Sequence, residues 1–139
     1  MDTELVLPRK LVNQVLTHAQ QDEHSEICGL ISASGGSPSH YYAVKNIAAD
    51  PSTRFEMEPA QQIAAMKHMR EQGEDLFAIV HSHPEGPPLP SATDMREVGY
   101  PDAYYIIVSL KTRGVPEMRG FKIADGDMQP VELRYEHEV

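Results

Sequence analysis

The sequence predicts an α/β fold, a mixed sheet flanked by helices in a sandwich of about three layers. Short runs rich in Val, Ile, Tyr and Phe, closed by Gly or Pro turn signals, recur along the chain and read as strands. Two stretches with apolar residues every three or four positions interrupt them as helices. Most strands follow one another at hairpin spacing, so pairing is mainly antiparallel and the helices are left to cover the faces. At 139 residues the chain has the commonest domain size, and one domain over 1–139 is expected.

The elements follow in order. ELVL (4–7) is a short first strand, and Pro8 suits the first turn of a helix, where its missing N–H costs nothing. Leu11, Val12, Val15, Leu16 and Ala19 give that helix its apolar stripe, which ends near QQDEHS. EICGLISA (26–33) is an apolar strand closed by the turn signal SGGSPS (34–39), and YYAVKNIA (41–48) is its hairpin partner. ADPST (49–53) is a loop, and the alternation in RFEME (54–58) predicts a short strand. Pro59 opens a second helix to about Gln72, with Ile63, Met66 and Met69 on one face as core filler. LFAIVHSH (76–83), YYIIVSL (104–110), VPEMRGFKI (115–123) and MQPVELRY (128–135) complete the strands, with Gly126 marking the last turn.

Composition narrows the function. A formal net charge of −9 argues against nucleic acid, since counterion release rewards Lys and Arg clusters that are missing here. No apolar run approaches the roughly 18 residues of a membrane span. The start, MDTELVLPRK, lacks the pattern of a secretory signal, and the single cysteine, Cys28, has no internal disulfide partner. A reducing, cytoplasmic setting is therefore expected.

The chemistry concentrates in HSHPEGPPLPSATD (81–94). Residues two apart on a strand point to the same side, so His81 and His83 aim both imidazoles at one point at the strand's exit. A catalytic zinc site needs three protein ligands and keeps a fourth position open. Asp94 is the natural third: the stiff, proline-rich loop around Gly86 turns the chain back, and Ser91 through Asp94 is a plausible helix start. Taken alone, Ser91-Ala-Thr-Asp94 is simply a capping box. Behind paired histidines it is harder to dismiss, because H-x-H-x7-S-x-x-D arises by chance in on the order of one such sequence in a thousand. His18, His24, His40, His68 and His137 are left as ordinary core or surface residues.

A metal site of this kind also needs a base held close without ligating. Glu26 stands at the mouth of the apolar strand ICGLI, where partial burial would raise its pKa, although a solvated strand-end charge fits the same position. Glu85, in the proline loop, is the more solvated carboxylate. Cys28 lies in an apolar run without a low-pKa setting and is read as a small core residue, not a nucleophile.

E-x-C-G-L at Glu26 to Leu30, H-S-H-P at His81 to Pro84, and Ser91 with Asp94 resemble the JAMM (MPN-plus) metallopeptidase family over roughly residues 4–124. The resemblance implies a cytidine-deaminase-like three-layer sandwich. It implies one zinc ion per chain on His81, His83 and Asp94, Glu26 as acid/base, and Ser91 as donor to the oxyanion. The implied reaction is hydrolysis of a peptide or isopeptide bond after the C-terminal Gly-Gly of a ubiquitin-like or sulfur-carrier protein. Every motif position is present, unlike in the family's inactive scaffold members. The compact chain is similar to the minimal prokaryotic members, without the long insertions of the eukaryotic ones. A non-catalytic binding module for ubiquitin-like tails and a cell-wall peptide peptidase are the competing functions. RFEM (54–57), or a strand edge near the proline loop, is the expected docking strip for an extended tail, with Phe55 and Met57 as its contacts. The substrate and the oligomeric state, a homodimer included, are left open.

Overall fold

A computed structural model describes residues 4–112 and 114–136. The elements run β1 (Glu4–Pro8), α1 (Arg9–Gln21), β2 (Cys28–Ser34), β3 (Ser37–Val44), α2 (Pro59–Glu71), β4 (Asp75–His83), α3 (Ala92–Arg96), β5 (Tyr104–Ser109), β6 (Glu117–Ala124) and β7 (Asp127–Glu136). All seven strands join one sheet in the order β1-β7-β6-β5-β4-β2-β3. The β4–β5 and β1–β7 pairs are parallel and the others antiparallel, which makes the sheet mixed as expected.

Each face of the sheet buries its own core. Leu11, Val12, Val15 and Ala19 of α1 pack with Leu5, Leu7, Val80, Ile106 and Val108 on one side. Ala65 and Met69 of α2 pack with Leu30, Ile79, Ile107 and Phe121 on the other. Strand alternation sets these sides: in β4, Val80 faces α1 and Ile79 faces α2, so His81 and His83 continue on the α2 side.

Several boundaries depart from the sequence reading. Pro8 is the last residue of β1 and the cap of α1, so the helix proper begins at Arg9. The turn after β2 needs only Gly35 and Gly36, both at positive φ, and β3 therefore starts at Ser37 and ends at Val44. Pro38 is tolerated because β3 is an edge strand with no ladder to donate to on its outer side. RFEME is not a strand: it makes one isolated bridge, Asn46 with Met57, and is otherwise loop. Ile63 is 66% exposed, because the inward stripe of α2 follows Ala65 and Met69, about 100° per residue round the helix from it. The last turn is as expected, with Asp125 and Gly126 both at positive φ between β6 and β7. Among the described residues, no helix is long and apolar enough to cross a membrane.

Candidate metal centre

β4 ends between β2 and β5, with His81 opposite Cys28 on one side and Ile107 on the other. Pairing continues past the start of β2: the Ile27 amide donates to Ser82 Oγ at 2.9 Å and the Ser82 amide donates to the Ile27 carbonyl at 3.1 Å. These bonds hold Glu26, the residue before Ile27, beside the two histidines.

The proline loop then returns the chain to the strand end. The side chain of Ser109 donates to the Gly86 carbonyl at 2.6 Å, and the Leu110 amide donates to the His83 carbonyl at 3.1 Å. Ser91 caps α3 in a complete capping box, so the bland reading of S-x-x-D is correct. It does not compete with a site. Asp94 Oδ2, which accepts the Ser91 amide at 2.8 Å, also lies 3.1 Å from both His81 Nε2 and His83 Nε2.

The two Nε2 atoms are 3.2 Å apart. Three ligand-type atoms thus form a triangle with sides of 3.1 to 3.2 Å. A tetrahedral ion with bonds of about 2.0 Å has ligand-to-ligand edges of about 3.3 Å, so this triangle is one face of such a site. A Glu26 carboxylate oxygen lies within 4.8 Å of all three, and Glu26 Oε1 is buried without a hydrogen-bond partner.

A carbonyl only accepts, so in the 2.8 Å bond to the Pro87 carbonyl His83 Nδ1 carries a proton, which leaves Nε2 as the nitrogen that gives up its proton when a cation binds. His81 has no such partner among the described residues: its Nδ1 is buried without a hydrogen bond, and its ring instead stacks on Phe55, with centroids 4.6 Å apart and planes 27° apart.

Charges respond to this enclosure. Burial, aided by the charge of Asp94 and opposed by His83, raises Glu26 to a pKa of about 8. Burial pushes His81 below its ordinary value despite its bonds to Asp94. At His83 burial acts in the same direction, but the bonds to Asp94 and to the Pro87 carbonyl outweigh it and the pKa rises. Asp94 stays far below the usual carboxylate range, since hydrogen bonds from both histidines and from the Ser91 amide override its burial. Without metal the cluster is thus an Asp94 carboxylate shared by two imidazoles, and a cation would displace the proton between them.

The site opens into a cleft of about 520 Å³ whose lining combines Glu26, His83 and Ser91 with Ser52, Thr53 and the proline loop. A larger groove of about 770 Å³ lies between α1 and β3 and contains none of the cluster. The chemistry, not the size of the cavity, identifies the site.

All five residues singled out in the sequence meet here: Glu26, His81, His83 and Asp94 in the cluster and Ser91 as the cap that orients Asp94. Glu85 is exposed and stays outside. Cys28 is fully buried, with its thiol donating to the Val44 carbonyl at 3.3 Å and its pKa pushed up by burial to about 12. His18 bonds Tyr41, His40 bonds Glu74, His68 bonds Tyr42 and His24 is exposed, while His137 lies outside the described residues.

At the expected docking strip, Met57 belongs to the core and Phe55 stacks on His81, while the Glu56 carbonyl and the Glu58 amide are bonded by Ile47 and Lys45. Sequence reasoning missed three features: the Phe55 stack, the Pro87 carbonyl and the bonds of Asn46. They arise from loops without periodicity, so no sequence signal marked them.

The family described as prokaryotic homologs of the JAB domain matches residues 8–123. The chain belongs to this family. Among its relatives, a CysO-cysteine peptidase of Mycobacterium tuberculosis is 32% identical over 124 residues, 88% of this chain and 84% of that one. A desampylase of Haloferax volcanii is 31% identical over 70% of this chain and 74% of its own length. The solution structure of a protein from Desulfitobacterium hafniense has a TM-score of 0.85 at 31% identity, covering 97% of this chain and 94% of that one. A JAB1/MPN domain protein from Archaeoglobus fulgidus shares the fold at a TM-score of 0.59 and 20% identity, over 95% and 96% of the two chains. As a Prok-JAB protein with peptidase relatives the chain is a hydrolase, and its His-His-Asp-Glu cluster suits a metal ion.

Proposed function

We propose that this Prok-JAB chain is a zinc-dependent peptidase or isopeptidase that hydrolyses the bond after the C-terminal Gly-Gly of a sulfur-carrier or ubiquitin-like protein. The observation that carries the proposal is the triangle of His81 Nε2, His83 Nε2 and Asp94 Oδ2 at 3.1 to 3.2 Å with Glu26 beside it. Two imidazoles and one carboxylate are a donor set for zinc, and they leave one position open. When bound, zinc polarises the scissile carbonyl and lowers the pKa of water toward neutrality.

The chain's own groups do the rest. Glu26, buried beside the triangle, takes a proton from the attacking water on its carboxylate and returns it to the amine nitrogen as the C–N bond breaks. Ser91 Oγ already accepts the Asp94 amide at 3.0 Å, so its own hydrogen is left to donate to the substrate oxygen as negative charge develops there. A relative in Thermus thermophilus, 30% identical over 88% of this chain and 78% of its own length, is called a probable TtuB-protein conjugate cleaving protease, and the CysO-cysteine peptidase and the desampylases act on related conjugates by name. The cleft lined by Ser52, Thr53 and the proline loop leads to Glu26 and His83 and is where an extended Gly-Gly tail would lie.

The test is mass spectrometry of a carrier protein bearing an amino-acid or isopeptide adduct on its terminal Gly-Gly. Wild type should release the carrier ending in Gly-Gly, and Glu26→Gln should not, while retaining metal and carrier binding. Carrier binding without cleavage by either protein would make this a tail-binding module.

A further inference from the structure

Asn46 sits just past the end of β3, outside the catalytic cluster, yet its carboxamide makes four hydrogen bonds. Its Nδ2 donates to the Glu26 carbonyl at 2.9 Å and to the Arg54 carbonyl at 3.0 Å. Its Oδ1 accepts the Ala48 amide at 2.9 Å and the Glu56 amide at 3.0 Å. Two donors and two accepting lone pairs are all that a carboxamide has, and each is used.

These bonds link the two groups that border the metal triangle. Glu26 precedes β2 and its backbone is held by the loop from 45 to 58, its amide donating to the Pro51 carbonyl at 2.7 Å and its carbonyl accepting from Asn46. Phe55 lies between the Arg54 carbonyl and the Glu56 amide, both bound by Asn46, and stacks on His81. Ligating histidines are normally oriented by a hydrogen bond from the second ring nitrogen. His83 has one, to Pro87; His81 is buried with Nδ1 unpartnered, so the Phe55 ring takes that orienting role.

We propose that Asn46 is a positioning residue of the metal centre: one carboxamide fixes the loop that holds the backbone of Glu26 and presses Phe55 against His81. The inference rests on the metal-site reading above. Only a flat group with two donors and two acceptors fits. Aspartate keeps the shape and both acceptor roles but sets a carboxylate oxygen against the Glu26 and Arg54 carbonyls.

The experiment compares wild type, Asn46→Asp, Phe55→Leu and Phe55→Tyr, each loaded with Co²⁺. It reads the visible absorption of the bound ion, the rate of its loss to a chelator, and kcat and KM on a Gly-Gly adduct. In Asn46→Asp the spectrum should shift, metal loss should quicken and kcat should fall, both by about 10- to 100-fold, with KM within about twofold. Phe55→Leu, which leaves the Asn46 bonds intact, should shift the spectrum and quicken metal loss, and Phe55→Tyr, which keeps the stack, should restore both. If Asn46→Asp does not fold, the two Phe55 variants decide whether the loop orients His81. Lower thermal stability with unchanged spectrum, metal loss and kcat would overturn the proposal and leave Asn46 a loop fastener. Wild type that takes up no Co²⁺ defeats the metal-site reading itself, whereas a metal-binding wild type without cleavage defeats only the substrate assignment and leaves the spectral readouts to judge Asn46.

Discussion

Ser91 and Asp94 hold each other twice, the Asp94 amide donating to Ser91 Oγ at 3.0 Å and the Ser91 amide donating to Asp94 Oδ2 at 2.8 Å. The same Oδ2 completes the triangle with His81 and His83, so one short helix start both caps itself and supplies a candidate ligand. Ser91→Ala removes the cap acceptor and the proposed oxyanion donor but leaves the Ser91 amide on Asp94. Metal content should persist, stability should fall by about 1 kcal/mol, and kcat should fall about 100-fold. Metal analysis, denaturant unfolding and steady-state kinetics on the same preparation check all three.

Glu26 gives the pH dependence. Its folded pKa of about 8 lies above the ordinary 4.5, so in the metal-free protein its protonated form favours the folded state. That contribution is fully present below pH 4.5 and is lost as pH rises through about 8. Metal-free wild type should therefore lose about 2 kcal/mol relative to Glu26→Gln between about pH 5 and pH 8, less than the full shift because the carboxylate borders the open cleft. Denaturant melts of the two chelator-treated proteins across that range measure the difference, and parallel curves would mean that Glu26 titrates normally.

Cys28 should be inert. Fully buried and with a thiol pKa of about 12, it has almost no thiolate at neutral pH. Iodoacetamide on the native protein should leave Cys28 unmodified and activity unchanged, while Cys28→Ala stays active at a stability cost of about 1 kcal/mol. Stoichiometric alkylation with loss of turnover would point to thiol chemistry instead.

Gly29 is constrained by its neighbour, not by its backbone angles. A Cβ there would stand 2.5 Å from the ring and hydroxyl of Tyr41, which is held by its 2.6 Å hydrogen bond with His18. Gly29→Ala should cost about 1 to 3 kcal/mol, seen as a lower denaturant midpoint with an unchanged slope. The glycine of E-x-C-G-L thus marks a close approach between β2 and β3.

The legible part of this molecule is the part with a period. Strand alternation and the α1 stripe announced themselves, and the alternation at LFAIVHSH also put His81 and His83 on one side. Ser91 and Asp94 were legible through cap chemistry. In α2 the apolar residues are spread round the helix, and their spacing puts Ile63 on the core face although Ala65 and Met69 form the buried row. RFEME alternates like a strand, but Asn46, bonding 54 and 56 through its side chain, holds it as a loop. No pattern in one sequence shows that Phe55 stacks on His81 or that the Pro87 carbonyl sets the tautomer of His83, because both contacts depend on where two loops close.

If HSHPEGPPLPSATD is a metal site, the purified protein holds metal through these side chains. Purified wild type, His83→Ala and Asp94→Ala should be analysed side by side, with folding checked by circular dichroism. About one zinc per wild-type chain, lost from both folded variants, is the predicted result. Equal, near-zero metal in all three, even after dialysis against zinc, would contradict it and return these residues to strand, turn and helix cap.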